Sequence, residues 1–119
     1  HNTQTRGLLT VERRKALIEQ AYKGEERVAV IAYSSLTGDE ARRIGATVII
    51  RSARNAQDFE YERTIALANR HIFPDIQTVV MIAPSEMEHI SSSLVRELYT
   101  FNHSVDDLLP EGIHLEDYL

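Results

Sequence analysis

At 119 residues, 43% hydrophobic and 26% charged, the chain has the size of one domain and the composition of a soluble globular protein rather than a disordered one. It has no cysteine, which excludes disulfides, thiol catalysis and cysteine-ligated zinc, and its net charge of −5 at pH 7 disfavours binding nucleic acid through general surface charge. No apolar run reaches the roughly 18 residues of a membrane span and nothing resembles a signal peptide, so a cytoplasmic location without a membrane partner is expected.

The chain opens on His1 rather than methionine, and its first residues read as a loop, as though it began in the middle of something. Thr10 is the expected N-cap of a first helix that runs to about Tyr22, with Glu12 in its first turn and a stripe of Val11, Leu17, Ile18 and Ala21. Arg27 to Ala32 (RVAVIA) predicts a short apolar strand. Thr37-Gly38-Asp39-Glu40 has the form of a capping box, opening a helix that carries Arg42 and Arg43 and stops at Gly45. Thr47 to Ile50 is a continuous apolar run, expected of a parallel strand buried on both faces.

Asp58 is expected to cap the next helix, whose Tyr61, Ile65, Ala68 and Ile72 should face the sheet. Gln77 to Ala83 predicts a third strand, ended by Pro84, and Ser91-Ser92-Ser93 precede a further helix. Strands alternating with helices imply an α/β fold with a parallel, Rossmann-like sheet and right-handed crossovers, helices covering both faces. Residues 1–119 read as one domain, without a linker or an internal repeat.

Ligands of such sheets bind beyond the carboxyl ends of the strands, so the residues after Ala32, Ile50 and Ala83 matter most. After Ile50 come Arg51-Ser52-Ala53-Arg54. Two guanidiniums three residues apart suit paired hydrogen bonds to phosphate oxygens, although surface ion pairing is the alternative reading. The serine run at a helix start offers hydroxyls and backbone N–H groups to an anion, or is simply a cap. Glu62 and Asn69 lie two turns apart on one helix face, either as solvated edge residues or as contacts to a ribose or a polar ligand arm. The five scattered histidines include no zinc-hydrolase spacing, and no nucleophile–base pair, P-loop or dinucleotide fingerprint is present. Catalysis, if any, would work by positioning anionic substrates and stabilising charge.

Thr47-Val48-Ile49-Ile50-Arg51, Arg54, Asp58-Phe59-Glu60-Tyr61-Glu62, Asn69-Arg70 and Ile90-Ser91-Ser92-Ser93-Leu94-Val95-Arg96-Glu97 resemble phosphopantetheine adenylyltransferases, the DFEYE segment most specifically. The resemblance implies a nucleotidyltransferase fold whose C-terminal two-thirds this chain represents, the first strand lying outside it. It implies transfer of the adenylyl group of ATP to 4′-phosphopantetheine, giving dephospho-coenzyme A and pyrophosphate, with Mg2+ assisting and a homo-oligomer, usually a hexamer. By the same resemblance Arg51 and Arg54 are the catalytic candidates. Thr5, Leu36, Thr37, Arg51 and Asn69 would contact the phosphopantetheine substrate. Ser52, Ala53, Arg54 and Glu62, together with Met87, Glu88, His89, Ile90, Ser91, Ser92 and Ser93, would contact ATP, with no protein metal ligand. Three positions depart from the family pattern: Thr5 stands where a lysine is usual, with Arg6 adjacent, Ser52 replaces a glycine and Met87 an aromatic residue. The family's first phosphate-binding loop is not in the chain. A non-catalytic nucleotide-binding module, an inactive truncated form and a sister enzyme with another phosphate acceptor are the competing readings.

Overall fold

The structure, a computed structural model, describes residues 7–119, so Thr5 and Arg6 lie outside the described residues. Two compact units form: residues 7–33 with Ile90–Leu119, and the continuous stretch Ser34–His89.

In the first unit, helix α1 spans Val11–Ala21, and the Thr10 hydroxyl accepts from the Arg13 N–H at 3.3 Å, as the capping signal requires. α1 packs against the turn Leu115–Tyr118, where Leu115 is buried, as are Val105 and Ile113. Asn102 reverses the chain with a positive φ of 62°, a conformation that asparagine tolerates better than most residues. The expected strand Arg27–Ala32 is not formed. The Val28 N–H closes a turn onto the Glu25 carbonyl, and no described segment offers residues 27–32 a ladder. A strand exists only through its neighbour, and apolar composition alone cannot supply one.

The second unit is a β–α–β crossover preceded by a helix. Helix α2 spans Thr37–Ile44, strand β1 Val48–Ala53, helix α3 Ala56–Ile72 and strand β2 Gln77–Ile82. β1 and β2 pair in parallel, Val48 opposite Gln77 through Ala53 opposite Ile82, giving the expected α/β topology in a two-stranded sheet. α3 packs on both strands and α2 on β1. Ala41, Ile49, Phe73 and Ile76 form the core at the sheet's N-terminal end.

Gly38 makes that core possible. A Cβ there would fall 2.2 Å from the ring carbons of Phe73, which is itself only 3% exposed. The Arg42 guanidinium lies 4.8 Å over the same ring and is paired with Asp75. Gly45 ends α2 in the left-handed conformation, φ 76°, as its position predicts.

Four local expectations are corrected. α2 begins one residue early: Leu36 is its N-cap, the Leu36 carbonyl accepts from the Glu40 N–H, and the Glu40 carboxylate turns forward to Arg43 instead of back to complete a capping box. α3 is capped by Asn55, whose Oδ1 accepts from the Asp58 N–H at 2.9 Å, while the Asp58 carboxylate is engaged by Arg54. The inward face of α3 is Glu62, Ile65, Ala66 and Asn69, ending at Phe73; Ala68 is exposed, Tyr61 is 63% exposed and Ile72 54%. β1 alternates instead of being buried on both faces. Ile49 and Ala53 are covered by the helices, and Val48 and Ile50 are exposed together with Val79 and Met81 of β2.

Candidate functional site

The C-terminal end of β1 runs into a short loop and then into the first turns of α3, and this junction carries the densest polar network of the second unit. Alternation along β1 puts Arg51 on the helix-covered face, between Ile49 and Ala53. Glu62 lies on the facing side of α3. The two meet in a fork: Arg51 Nε donates to Glu62 Oε2 at 2.7 Å and Nη2 to Oε1 at 2.9 Å. The Glu62 side chain is 11% exposed, so the pair is largely withdrawn from water on the carboxylate side. This contact explains why α3 turns a glutamate inward: the arginine stem emerges from the covered face of the strand and its charge must be met there.

One helical turn earlier, Asp58 does the same for Arg54. A single carboxylate oxygen, Oδ2, accepts from the Arg54 backbone N–H at 3.2 Å and from Nε at 2.9 Å. The side-chain hydrogen bond from Arg54, and then the backbone one, hold the Asp58 carboxyl below its ordinary value. Asp58 and Glu62 thus stand one turn apart on α3, each engaging one guanidinium from the end of β1.

The remaining expected residues of this unit are spread around that junction. Ala53 is fully buried and Ser52 exposed, one on each face of β1. Asn69 is half-buried two turns beyond Glu62 on the inward face of α3. Leu36 and Thr37 begin α2, the former exposed and the latter half-buried. Met87 closes a short 3-10 turn after β2, and Glu88 and His89 follow it, all exposed.

In the other unit, Ser91 is the N-cap of helix α4 (Ser92–Thr100), its hydroxyl accepting from the Leu94 N–H at 3.1 Å. Ser93 Oγ accepts from Arg96 Nη2 at 3.2 Å. Ile90 and all three serines line a cavity of about 1040 Å³ whose wall also includes Arg14 and Arg96. Neither cation stands among the site residues that the sequence suggests. Arg96 was visible one turn after the serine run, where a residue at i+3 returns to the same helix face. Arg14 carried no local signal, because no phosphate-type motif adjoins it in sequence and it reaches the cavity only through the packing of its own unit.

Among the described residues, no three histidine or carboxylate side chains come together as metal ligands, and no helix is long and apolar enough to cross a membrane.

Residues 1–98 match the cytidylyltransferase-like family model. A protein named phosphopantetheine adenylyltransferase from Porphyromonas gingivalis is 44% identical over 115 residues, which are 97% of this chain and 74% of that protein. Proteins of the same name from Streptococcus suis and Bacteroides thetaiotaomicron are 39% and 38% identical, over 97% and 88% of this chain and 72% and 69% of their own lengths. With its parallel crossover and the paired arginines at its strand end, the chain belongs to the phosphopantetheine adenylyltransferase family of cytidylyltransferase-like nucleotidyltransferases.

Proposed function

We propose that the chain transfers the adenylyl group of ATP to 4′-phosphopantetheine, releasing pyrophosphate and forming dephospho-coenzyme A. The observation that carries this reading is the pair of carboxylate-held guanidiniums, Arg51 and Arg54, at the carboxyl end of β1 in a chain of this family.

The reaction needs no protein nucleophile. A phosphate oxygen of 4′-phosphopantetheine attacks the α-phosphorus of ATP, the new P–O bond forms, and the bond to the bridging oxygen breaks with its electron pair leaving on pyrophosphate. Arg51 holds the acceptor phosphate, and Arg54 stabilises the charge that builds on the transferring and leaving oxygens. Such fixed donors are worth a few kcal/mol each in the transition state. Leu36, Thr37 and Asn69 contact the pantetheine arm. Ser52, Ala53 and Glu62 contact ATP, and so does the stretch Met87 to Ser93. The cavity beside Ser91, Ser92 and Ser93 brings Arg14 and Arg96 to the same serine run, which favours an anionic occupant. Thr5, outside the described residues, belongs to the acceptor side by family position.

Mg2+ enters as the counter-ion of the ATP phosphates, which supply the oxygen ligands it prefers. A homo-oligomer, a hexamer by family, and a cytoplasmic location complete the proposal.

The test is pyrophosphate release by the purified protein with ATP, Mg2+ and 4′-phosphopantetheine, read against nicotinate mononucleotide and glycerol phosphate as acceptors. Turnover only with 4′-phosphopantetheine is expected. Nucleotide binding without pyrophosphate release would replace the enzyme by a binding module, and turnover with another acceptor would replace the substrate.

A further inference from the structure

We infer that Asp58 is a positioning residue for the adenylyl transfer, fixing the Arg54 guanidinium from the first turn of α3; the inference rests on the reading of Arg54 as a phosphate contact.

Four hydrogen bonds define the device. Asn55 Oδ1 accepts from the Asp58 N–H at 2.9 Å, and the Asn55 carbonyl accepts from the Phe59 N–H at 3.0 Å, so Asn55 fastens the loop to the helix start. Asp58 Oδ2 then reaches back to the residue before that cap and accepts from Arg54 twice, through its backbone N–H at 3.2 Å and through Nε at 2.9 Å. One oxygen therefore restrains both the backbone and the side chain of the same arginine. A hydrogen bond at Nε sets the plane of the guanidinium, because Nε lies in that plane and cannot turn without breaking the bond.

The restraint is passed to something rigid. α3 is 17 residues long and packs on both β1 and β2, so Asp58 moves only with the helix. Arg54 sits in the loop after β1, where a lone arginine would sample many rotamers and would have to be ordered by the substrate. With Asp58 in place, the ordering is built into the apo protein. In a reaction driven by charge stabilisation, such preorganisation appears in turnover more than in ground-state binding.

Arg51 does not need the same device from the loop, because Glu62 grips it through both Nε and Nη2 from deeper in the helix. Asp58 was legible in the sequence only as a helix cap. Once Asn55 takes that role, its carboxylate has no local duty except Arg54.

A double-mutant cycle in the proposed assay tests this. Asp58→Ala is expected to lower kcat by about 10- to 100-fold with a smaller change in KM for ATP, the cost of a misplaced transition-state contact. Asp58→Asn keeps an acceptor oxygen and loses the charge, and is expected to recover most of that loss. In an Arg54→Ala background, Asp58→Ala should change kcat by less than about twofold, because there is no guanidinium left to position. The melting temperature should fall in both backgrounds, since the loss of the acidic side chain from the first turn is felt regardless. Equal kcat losses in the two backgrounds, or wild-type kcat in Asp58→Ala, overturn the positioning role and leave the reading of Arg54 standing. Wild-type kcat in Arg54→Ala itself removes that reading, and the positioning role with it. If Asp58→Ala does not fold, the same cycle with Asp58→Asn decides between these outcomes on a smaller, several-fold scale.

Discussion

Two arginine–carboxylate constructions stand at opposite ends of the same two-stranded sheet, and they are built for different purposes. At the N-terminal end, Arg42 lies over the ring of buried Phe73 and pairs with Asp75, next to a glycine that leaves room for that ring. At the C-terminal end, Arg51 and Arg54 are held by Glu62 and Asp58, where a parallel sheet presents its ligands. The chemistry of the pairs is the same. What differs is the setting: an apolar core in one case, the strand end and the helix start in the other. An ion pair is therefore not informative by itself, and its neighbours decide whether it serves the fold or the reaction.

The comparison is most sharply broken at the chemical end. Arg54→Ala is expected to lower kcat by about two to three orders of magnitude, as for loss of one fixed transition-state donor, with only the small fall in melting temperature that loss of its half-exposed pair with Asp58 brings. A steady-state assay paired with a thermal melt reads both. Wild-type turnover would remove the distinction between the two ends.

At the structural end the order of effects reverses. Gly38→Ala forces a methyl into the Phe73 ring and is expected to cost about 1–3 kcal/mol, measured by urea unfolding. Arg42→Ala uncovers the ring and leaves Asp75 without its cation, so stability falls in the same direction while kcat per folded molecule is unchanged. A fall in kcat for the folded Arg42→Ala protein would mean that the two ends are coupled.

Acid sharpens the comparison without mutation. Glu40, Asp58 and Asp75 are each held below their ordinary values, first of all by hydrogen bonds from Arg43, Arg54 and Arg42 respectively. A carboxyl lowered in the folded state contributes stability that is fully present above its unfolded value of about 4. That contribution is lost as pH falls through the lower folded value. Melting temperature should hence be flat from neutrality to about pH 5 and fall below it. Asp75→Asn should reduce the depth of that fall, and an unaltered acid profile in this variant would show that the pair contributes nothing. The smallest effect is expected at Thr78, whose buried Oγ1 has no hydrogen-bond partner among the described residues. Thr78→Val should be neutral or stabilising by up to about 1 kcal/mol in the same unfolding assay.

These cases also explain how far the sequence could be read. Thr10, Gly45 and Ser91 behaved as their residue types demand because a cap is a local contract among three or four neighbours. The crossover β1–α3–β2 was legible from alternating apolar runs and helical spacing. The face of α3 was not. Apolar periodicity chose Tyr61, Ala68 and Ile72, whereas the inward side includes Glu62 and Asn69, because Arg51 emerges on the covered face of β1 and draws a carboxylate to it. Polar residues that belong to a site counterfeit a solvent face. Residues 27–32 failed for the opposite reason: their composition is that of a strand, but pairing is a property of two segments. For the candidate site, the arginines and the serine run were visible as motifs, while Asp58 as an anchor and Arg14 on a cavity wall required three-dimensional packing.

The parallel register of β1 and β2 carries one more implication, a kinetic one. Every rung of the ladder, from Val48–Gln77 to Ala53–Ile82, joins residues at the same separation along the chain, because α3 and its two loops lie between all of them. No rung is cheap to close first, unlike an antiparallel hairpin, where pairing spreads outward from a turn. The sheet can form only after the connecting helix has largely shortened that path, so the helical propensity of α3 should govern how fast this unit folds as well as how well. Alanine substitutions on its exposed face would then accelerate refolding while leaving the unfolding rate nearly untouched.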